Sequence, residues 1–189
     1  MDFQEDLEQS LVVLARGGLI LYPTDTIWGI GCDATNGEAV ARIYGLKRRA
    51  ETKSMIVLVG GERDVLRYTA GVDLGLFAYL KTVVKPTTVI YGGAIGLAPN
   101  LLGEDGSVGM RIVQDAFCRH LVKRLRKPLV STSANISGQA APGWFGEIDP
   151  AIIKGVDYVV RFRQDDTRRA EASAVIKWGR DGQVEVIRP

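Results

Sequence analysis

The sequence is poor in the residues that most often announce chemistry. Histidine occurs once, at His120, and cysteine twice, at Cys32 and Cys118. A nucleophile–histidine triad therefore has a single available base, and His120 sits in a basic helical stretch just after Phe117, which favours a structural or surface role. The two cysteines are far apart and belong to no CxxC or Cys/His cluster, so neither a disulfide framework nor a zinc centre is suggested. Both are expected as buried thiols. No GxxxxGK[ST] segment is present, which excludes a P-loop as the means of holding a nucleotide. No apolar run approaches the roughly 18 to 20 residues that cross a bilayer. The first residues carry Asp2, Glu5, Asp6 and Glu8 where a secretory signal would be positive, and a cytoplasmic protein with no membrane segment is expected.

What is present is an ordinary globular mixture. Of 189 residues, 46% are hydrophobic and 24% charged, enough for one packed domain over residues 1–189 with no linker-like stretch. A net charge of +2 does not mark a nucleic-acid binder. The cations are nevertheless clustered, as Lys47, Arg48, Arg49 and Lys53, and again as Arg119, Lys123, Arg124, Arg126 and Lys127.

Periodicity divides the chain into alternating helices and strands. Phe3, Leu7, Leu11, Leu14 and Ala15 recur at helical spacing and are followed by Gly17-Gly18, so a helix is predicted over 3–16. LILY at 19–22 reads as a short buried strand ended by Pro23. Thr35 and Glu38 have capping-box spacing before a helix over 37–47. MIVLV at 55–59, TTVIY at 87–91, SVGMRIV at 107–113 and LVSTS at 129–133 read as strands. DVLRYT, LGLFAYLKTVV and the stretch from Asp115 to Arg126 have helical periodicity. DYVVRF, SAVIKW and QVEVI close the chain as strands, the last two joined by a turn at Gly179-Arg180-Asp181-Gly182. The expectation is an α/β domain around one twisted mixed β-sheet flanked by helices, antiparallel at its C-terminal edge.

Four segments could carry chemistry. YPTDTIWGIGCDA, 22–34, leaves a buried strand with two threonine hydroxyls, and Gly29 and Gly31 could let backbone approach a phosphate, although an ordinary turn has the same composition. Its partial G-x-G-x-x-A match is a weak dinucleotide signal. KRRAETK, 47–53, suits a polyanion such as a triphosphate, or else is a solvated helix end. VGMRI puts Arg111 inside an apolar strand, where it needs either an internal acidic partner or a substrate carboxylate. STSANISG, 131–138, could hold phosphate oxygens or be a hydroxyl-rich turn.

Taken in order, these segments resemble the YrdC family of threonylcarbamoyl-AMP synthases across nearly the whole chain. The resemblance rests on YPTDTIWGIGCDA, Lys47-x-Arg49 after an IY-x-LK helix, KPTTVIY, VGMRI, STSANISG, Ser173-Ala174-Val175-Ile176 and the terminal Ile187-Arg188-Pro189. It implies the YrdC-like fold with a concave, positively charged cleft. It implies an enzyme, a nucleotidyltransferase that joins L-threonine, bicarbonate and ATP into threonylcarbamoyl-AMP and pyrophosphate for threonylcarbamoyladenosine modification of tRNA. A transferase complex would take the product, with Mg2+ on the phosphates. By the same resemblance Thr24, Arg111, Ser131 and Ser173 would hold threonine. Lys47, Arg49, Ser107, Ser133, Asn135, Ala141 and Arg188 would surround ATP, with Lys47 and Arg49 serving the chemistry at the phosphates. The alternative is an RNA-binding relative without synthase activity, contacting tRNA or double-stranded RNA through the clustered cations. A hydrogenase-maturation type of carbamoyl-transferring relative is disfavoured, because no zinc-finger cysteines occur.

The sequence also departs from the family pattern. Leu58 stands where many relatives have histidine, Ala50 follows Arg49 where they have proline, and Trp28 replaces tyrosine. The additional C-terminal domain of longer relatives is expected to be missing.

Overall fold

The computed structural model describes residues 3–50, 55–179 and 181–189. Lys53 of the first basic cluster, and Arg180 of the last turn, lie outside the described residues. The elements in chain order are α1 (Gln4–Ala15), β1 (Ile20–Tyr22), β2 (Gly29–Gly31), α2 (Gly37–Lys47), β3 (Ile56–Val59), α3 (Glu62–Tyr68), α4 (Gly75–Leu80), β4 (Thr87–Tyr91), β5 (Val108–Ile112), α5 (Ala116–Leu125), β6 (Leu129–Ser133), α6 (Pro150–Gly155), β7 (Tyr158–Val159), β8 (Ala174–Trp178) and β9 (Val184–Arg188). Among the described residues, no helix is long and apolar enough to cross a membrane.

The strands form one nine-stranded mixed sheet in the order β7-β1-β2-β6-β3-β5-β4-β8-β9. Parallel pairs (β1–β7, β3–β5, β4–β8) interleave with antiparallel ones, and β8–β9 at the edge is antiparallel as the sequence implies. Residues alternate between the two faces. One face (Val57, Val59, Val89, Met110 and Val130) packs against Val40, Ile43 and Tyr44 of α2, Val65 of α3, Phe77 of α4 and Ile152 of α6. The other face (Ile20, Tyr22, Leu58 and Leu129) packs against Leu7 and Leu14 of α1 and Phe117, Leu121 and Val122 of α5. Both cysteines are buried and free, Cys32 in the first cluster and Cys118 in the second. Burial is the main cause that pushes both thiols up from their ordinary range.

Three local expectations change. GIG at 29–31 is a strand, not part of a loop; it lies between β1 and β6, and its third residue ends the strand with no helix opening there. Helix α2 is capped by Asn36, whose side chain accepts from the Ala39 N–H at 3.1 Å, while the Thr35 hydroxyl donates to Asp33 at 2.7 Å. The Thr35/Glu38 capping box is therefore not used, because Asp33 captures the hydroxyl and leaves the cap one residue later. DYVVRF contributes only Tyr158–Val159 as strand. The chain past it is turned by hydrogen bonds from the Arg161 and Phe162 N–H groups to the carboxylate of Asp6 in α1.

Candidate functional site

Helices α1 and α5 cover only part of their face of the sheet. The register pairs Leu58 with both Leu129 and Arg111, and Ile56 with both Ser131 and Gly109, so these side chains share that face. Leu58 and Leu129 lie under the helices. Arg111 and Ser131 share this face with those leucines, and the Thr88–Ser173 hydroxyl pair lies on it in β4 and just before β8.

Arg111 is 3% exposed, yet it sits among strands. Its buried charge is balanced by Asp25, reached through Nη2–Oδ1 at 2.8 Å. The internal acidic partner that the sequence left open is thus Asp25, the residue between Thr24 and Thr26. The neighbouring Thr24 hydroxyl accepts from the Thr26 N–H at 2.9 Å and donates to the Ile27 carbonyl at 2.8 Å, which fixes the loop that carries Asp25. Gly29 explains the closeness of the pieces. A Cβ there would stand 3.0 Å from the Ser131 hydroxyl and 3.6 Å from Thr24 Cγ2. The space at Gly31 is taken by protein: a Cβ would meet the Tyr22 ring at 2.7 Å. These two glycines therefore make room for side chains of the chain itself, and not for the phosphate the sequence suggested. The Tyr22 hydroxyl donates to the Val130 carbonyl at 3.2 Å, and burial is the chief cause that pushes its phenol well above the ordinary value.

On the far side of the same face, Ser173 is buried and its hydroxyl lies 2.9 Å from that of Thr88 in β4. Arg188 donates through Nε and Nη2 to the Ser173 carbonyl at 3.0 and 2.8 Å. Partial burial is the first cause that holds the Arg188 guanidinium below its usual value, and the Arg111 charge is the second. Two guanidiniums that feel each other are an arrangement that an anion relieves.

Lys47, at the end of α2, is 1% exposed. Its ammonium donates to the Ser133 carbonyl and to the Asn135 carbonyl at 2.6 Å, while its own carbonyl accepts from the Ser137 N–H at 2.8 Å. Lys47 and the SAN segment are therefore one unit. Burial first, and the nearby Arg49 second, lower the Lys47 pKa from 10.5 to about 8. Asn135 donates to the Gln139 carbonyl at 2.8 Å, and its Oδ1 is buried without a hydrogen-bond partner.

Ser107 lies just before β5, on the alternation of Gly109 and Arg111, with its N–H bonded to Asp105 at 3.0 Å. Ala141 lies exposed beyond Asn135 on the loop leaving β6. No described hydrogen bond joins Ser107 or Ala141 to either group. His120 is exposed and contacts the Phe3 ring, with centroids 5.8 Å apart. Sequence reasoning missed Asp25 and Thr88, although each stood inside a segment it singled out.

A cavity of about 1290 Å³ lies elsewhere. It is bounded by Val59, Ile112 and Pro128, the opposite ends of β3, β5 and β6 from Ile56, Gly109 and Ser133. Arg63, Arg67, Arg119, Lys123 and Arg126 border it. Its size does not make it the centre of the chemistry, because Arg111, Asp25, Lys47, Ser131, Ser173 and Thr88 are not among the residues that line it.

The fold is a mixed α/β sheet that carries Arg111, Ser131 and Ser173 on one face, with the buried Lys47 ammonium at the end of β6. Comparison with known proteins makes this specific. The profile of the Sua5/YciO/YrdC family, described as "Telomere recombination", matches residues 12–189. The chain belongs to this family. It is 35% identical over 164 residues to a threonylcarbamoyl-AMP synthase of Xanthomonas campestris, covering 85% of this chain and 87% of that protein. It is 32% identical over 183 residues to one of Xanthomonas euvesicatoria, covering 95% and 96%. Among solved structures, Pyrococcus abyssi Sua5 complexed with L-threonine superposes with a TM-score of 0.84 at 19% identity, covering 98% of this chain and 54% of that one. Escherichia coli YciO gives 0.79 at 21%, covering 98% and 89%. The present chain thus spans about half of the archaeal protein. At these identities the structural likeness supports the fold.

Proposed function

We propose that the protein is a threonylcarbamoyl-AMP synthase, forming threonylcarbamoyl-AMP and pyrophosphate from L-threonine, bicarbonate and ATP. The observation that carries this reading is the buried Arg111 on the same sheet face as Ser131 and Ser173, balanced by Asp25 beside Thr24, with the Lys47–Ser133–Asn135 unit at the end of β6. The naming of the curated relatives supports it. Arg111 would bind the threonine carboxylate, with Thr24, Ser131 and Ser173 beside the amino acid. Lys47, Arg49, Ser107, Ser133, Asn135, Ala141 and Arg188 would surround the nucleotide. The threonine amine adds to carbon dioxide derived from bicarbonate and loses a proton. A carbamate oxygen then forms the bond to the α-phosphorus while the bond to pyrophosphate breaks.

No general base is needed at phosphorus, so the protein's part is to hold two anions together and to stabilise charge. Among the described residues no group of three His, Cys, Asp or Glu side chains could hold a metal. The donor set here is cationic and fits phosphate oxygens, and any Mg2+ would arrive on the nucleotide, neutralising its charge. The same reading places the enzyme in the cytoplasm, handing its product to a tRNA-modifying transferase complex.

The test is to supply purified protein with ATP, bicarbonate and threonine, measuring pyrophosphate and seeking threonylcarbamoyl-AMP by mass spectrometry. Threonine-independent pyrophosphate release, or none, sinks the reading. Arg111→Ala should impair threonine use more than ATP binding, and Lys47→Ala the reverse. A second reading, binding of tRNA or double-stranded RNA, draws on the groove bordered by Arg63, Arg67, Arg119, Lys123 and Arg126. It requires RNA affinity that falls steeply with salt and is lost when Arg119 and Lys123 are replaced together.

A further inference from the structure

The Arg111–Asp25 pair is incompletely satisfied. Arg111 Nε and Asp25 Oδ2 are both shut off from solvent, and neither has a hydrogen-bond partner. The side chains are 4% and 10% exposed, and the single contact between them is the 2.8 Å Nη2–Oδ1 ion pair. A purely structural buried pair would be expected to use its remaining donor and acceptor, since each one left over costs its full desolvation. Here one orphaned donor and one orphaned acceptor of opposite charge stand together, next to Thr24 and in the field of Arg188.

We propose that Asp25 is a positioning and specificity residue that receives the α-ammonium of the amino-acid substrate, so that Asp25 and Arg111 together recognise a zwitterion. This rests on the amino-acid reading of the cleft. Asp25 neutralises Arg111 within the protein. When an amino acid enters, its carboxylate takes Arg111 and its ammonium takes Asp25. One internal ion pair is replaced by two intermolecular ones, and the orphaned Nε and Oδ2 gain partners as the two side chains turn about their terminal bonds. Charge is conserved in the exchange, so no buried charge is left unmatched. A carboxylic acid without the ammonium has no such exchange available, because it would bring a second negative charge against Asp25. The device therefore selects amino acids over other carboxylates by repulsion as well as attraction. It also holds the nitrogen that must later react with carbon dioxide on the Asp25 side of the cleft.

The test compares binding of L-threonine with that of 3-hydroxybutyrate, its deaminated analogue, by calorimetry without ATP or bicarbonate. Wild-type protein should prefer threonine by at least about ten-fold, the scale of one charge-assisted hydrogen bond. Asp25→Asn should narrow that preference to about three-fold or less, weakening threonine while tightening the analogue, and Asp25→Glu should restore much of it. A merely structural Asp25 would weaken both ligands by the same factor in Asp25→Asn, and that result overturns the proposal. Should Asp25→Asn fail to fold, an Asp25→Glu protein whose preference is unaltered while its affinity for both ligands falls together overturns it equally. If wild-type protein binds no threonine at all, the amino-acid reading fails as well. Threonine binding with an unchanged preference in Asp25→Asn removes only the role of Asp25.

Discussion

Lys47 offers a quantitative check on the nucleotide end of the cleft. Its side chain is buried, its ammonium donates to two carbonyls, and burial first and Arg49 second lower its pKa from 10.5 to about 8. Between these two values the unfolded chain binds more protons than the folded one, so stability must rise with pH there. Relative to pH 7, the contribution of this one group increases by about 1 kcal/mol at pH 8.5 and about 2 kcal/mol at pH 9.5, and it levels off above 10.5 at roughly 3 kcal/mol. Below pH 7 it is flat. Lys47→Met removes the titration while keeping much of the volume, although it strands the Ser133 and Asn135 carbonyls at about 1–3 kcal/mol each.

The experiment is urea unfolding of both proteins at pH 7, 8.5 and 9.5. Subtracting the two curves cancels the tyrosines and every other titrating group. The wild-type protein should gain on Lys47→Met by about 2 kcal/mol across that range. A difference that stays constant with pH would refute the burial argument. The same titration bears on function. If Lys47 meets ATP phosphates as a cation, ATP affinity should fall as pH passes about 8 in the wild type and show no such step in Lys47→Met.

Two further outcomes follow from packing. Leu58 is fully buried beneath α1 and α5, so Leu58→Ala should cost about 2–5 kcal/mol in denaturant unfolding. Restoring the histidine of relatives, Leu58→His, should likewise lower the unfolding midpoint, because the imidazole would displace packing under the helices; an unchanged midpoint would show room for it that the packing does not provide. Gly31→Ala sets a methyl group 2.7 Å from the Tyr22 ring and 2.8 Å from the Val130 carbonyl, a clash worth about 1–3 kcal/mol. Thermal unfolding indistinguishable from wild type would count against that crowding.

The local codes were legible because local physics wrote them. Helical periodicity marked α1, α2 and α5, and continuous β-branched runs marked β3, β4 and β6 to within a residue, since each buries an apolar face or stripe in a shared core. The two threonines, the basic run, Arg111 and the SAN segment were visible as residues that needed partners. Which partner each one found depended on the sheet order. Antiparallel pairing of β6 with both β2 and β3, and parallel pairing of β3 with β5, bring Gly29, Ser131 and Arg111 to one face from positions spread over about a hundred residues. Only that arrangement selects Asp25 as the counter-charge of Arg111, gives Lys47 to the carbonyls of the SAN segment, and lets Thr88 hold Ser173. It also reassigned Gly31, whose missing side chain leaves space that the Tyr22 ring fills. A one-dimensional pattern states which groups cannot be buried alone; the long-range pairing of strands decides what accompanies them.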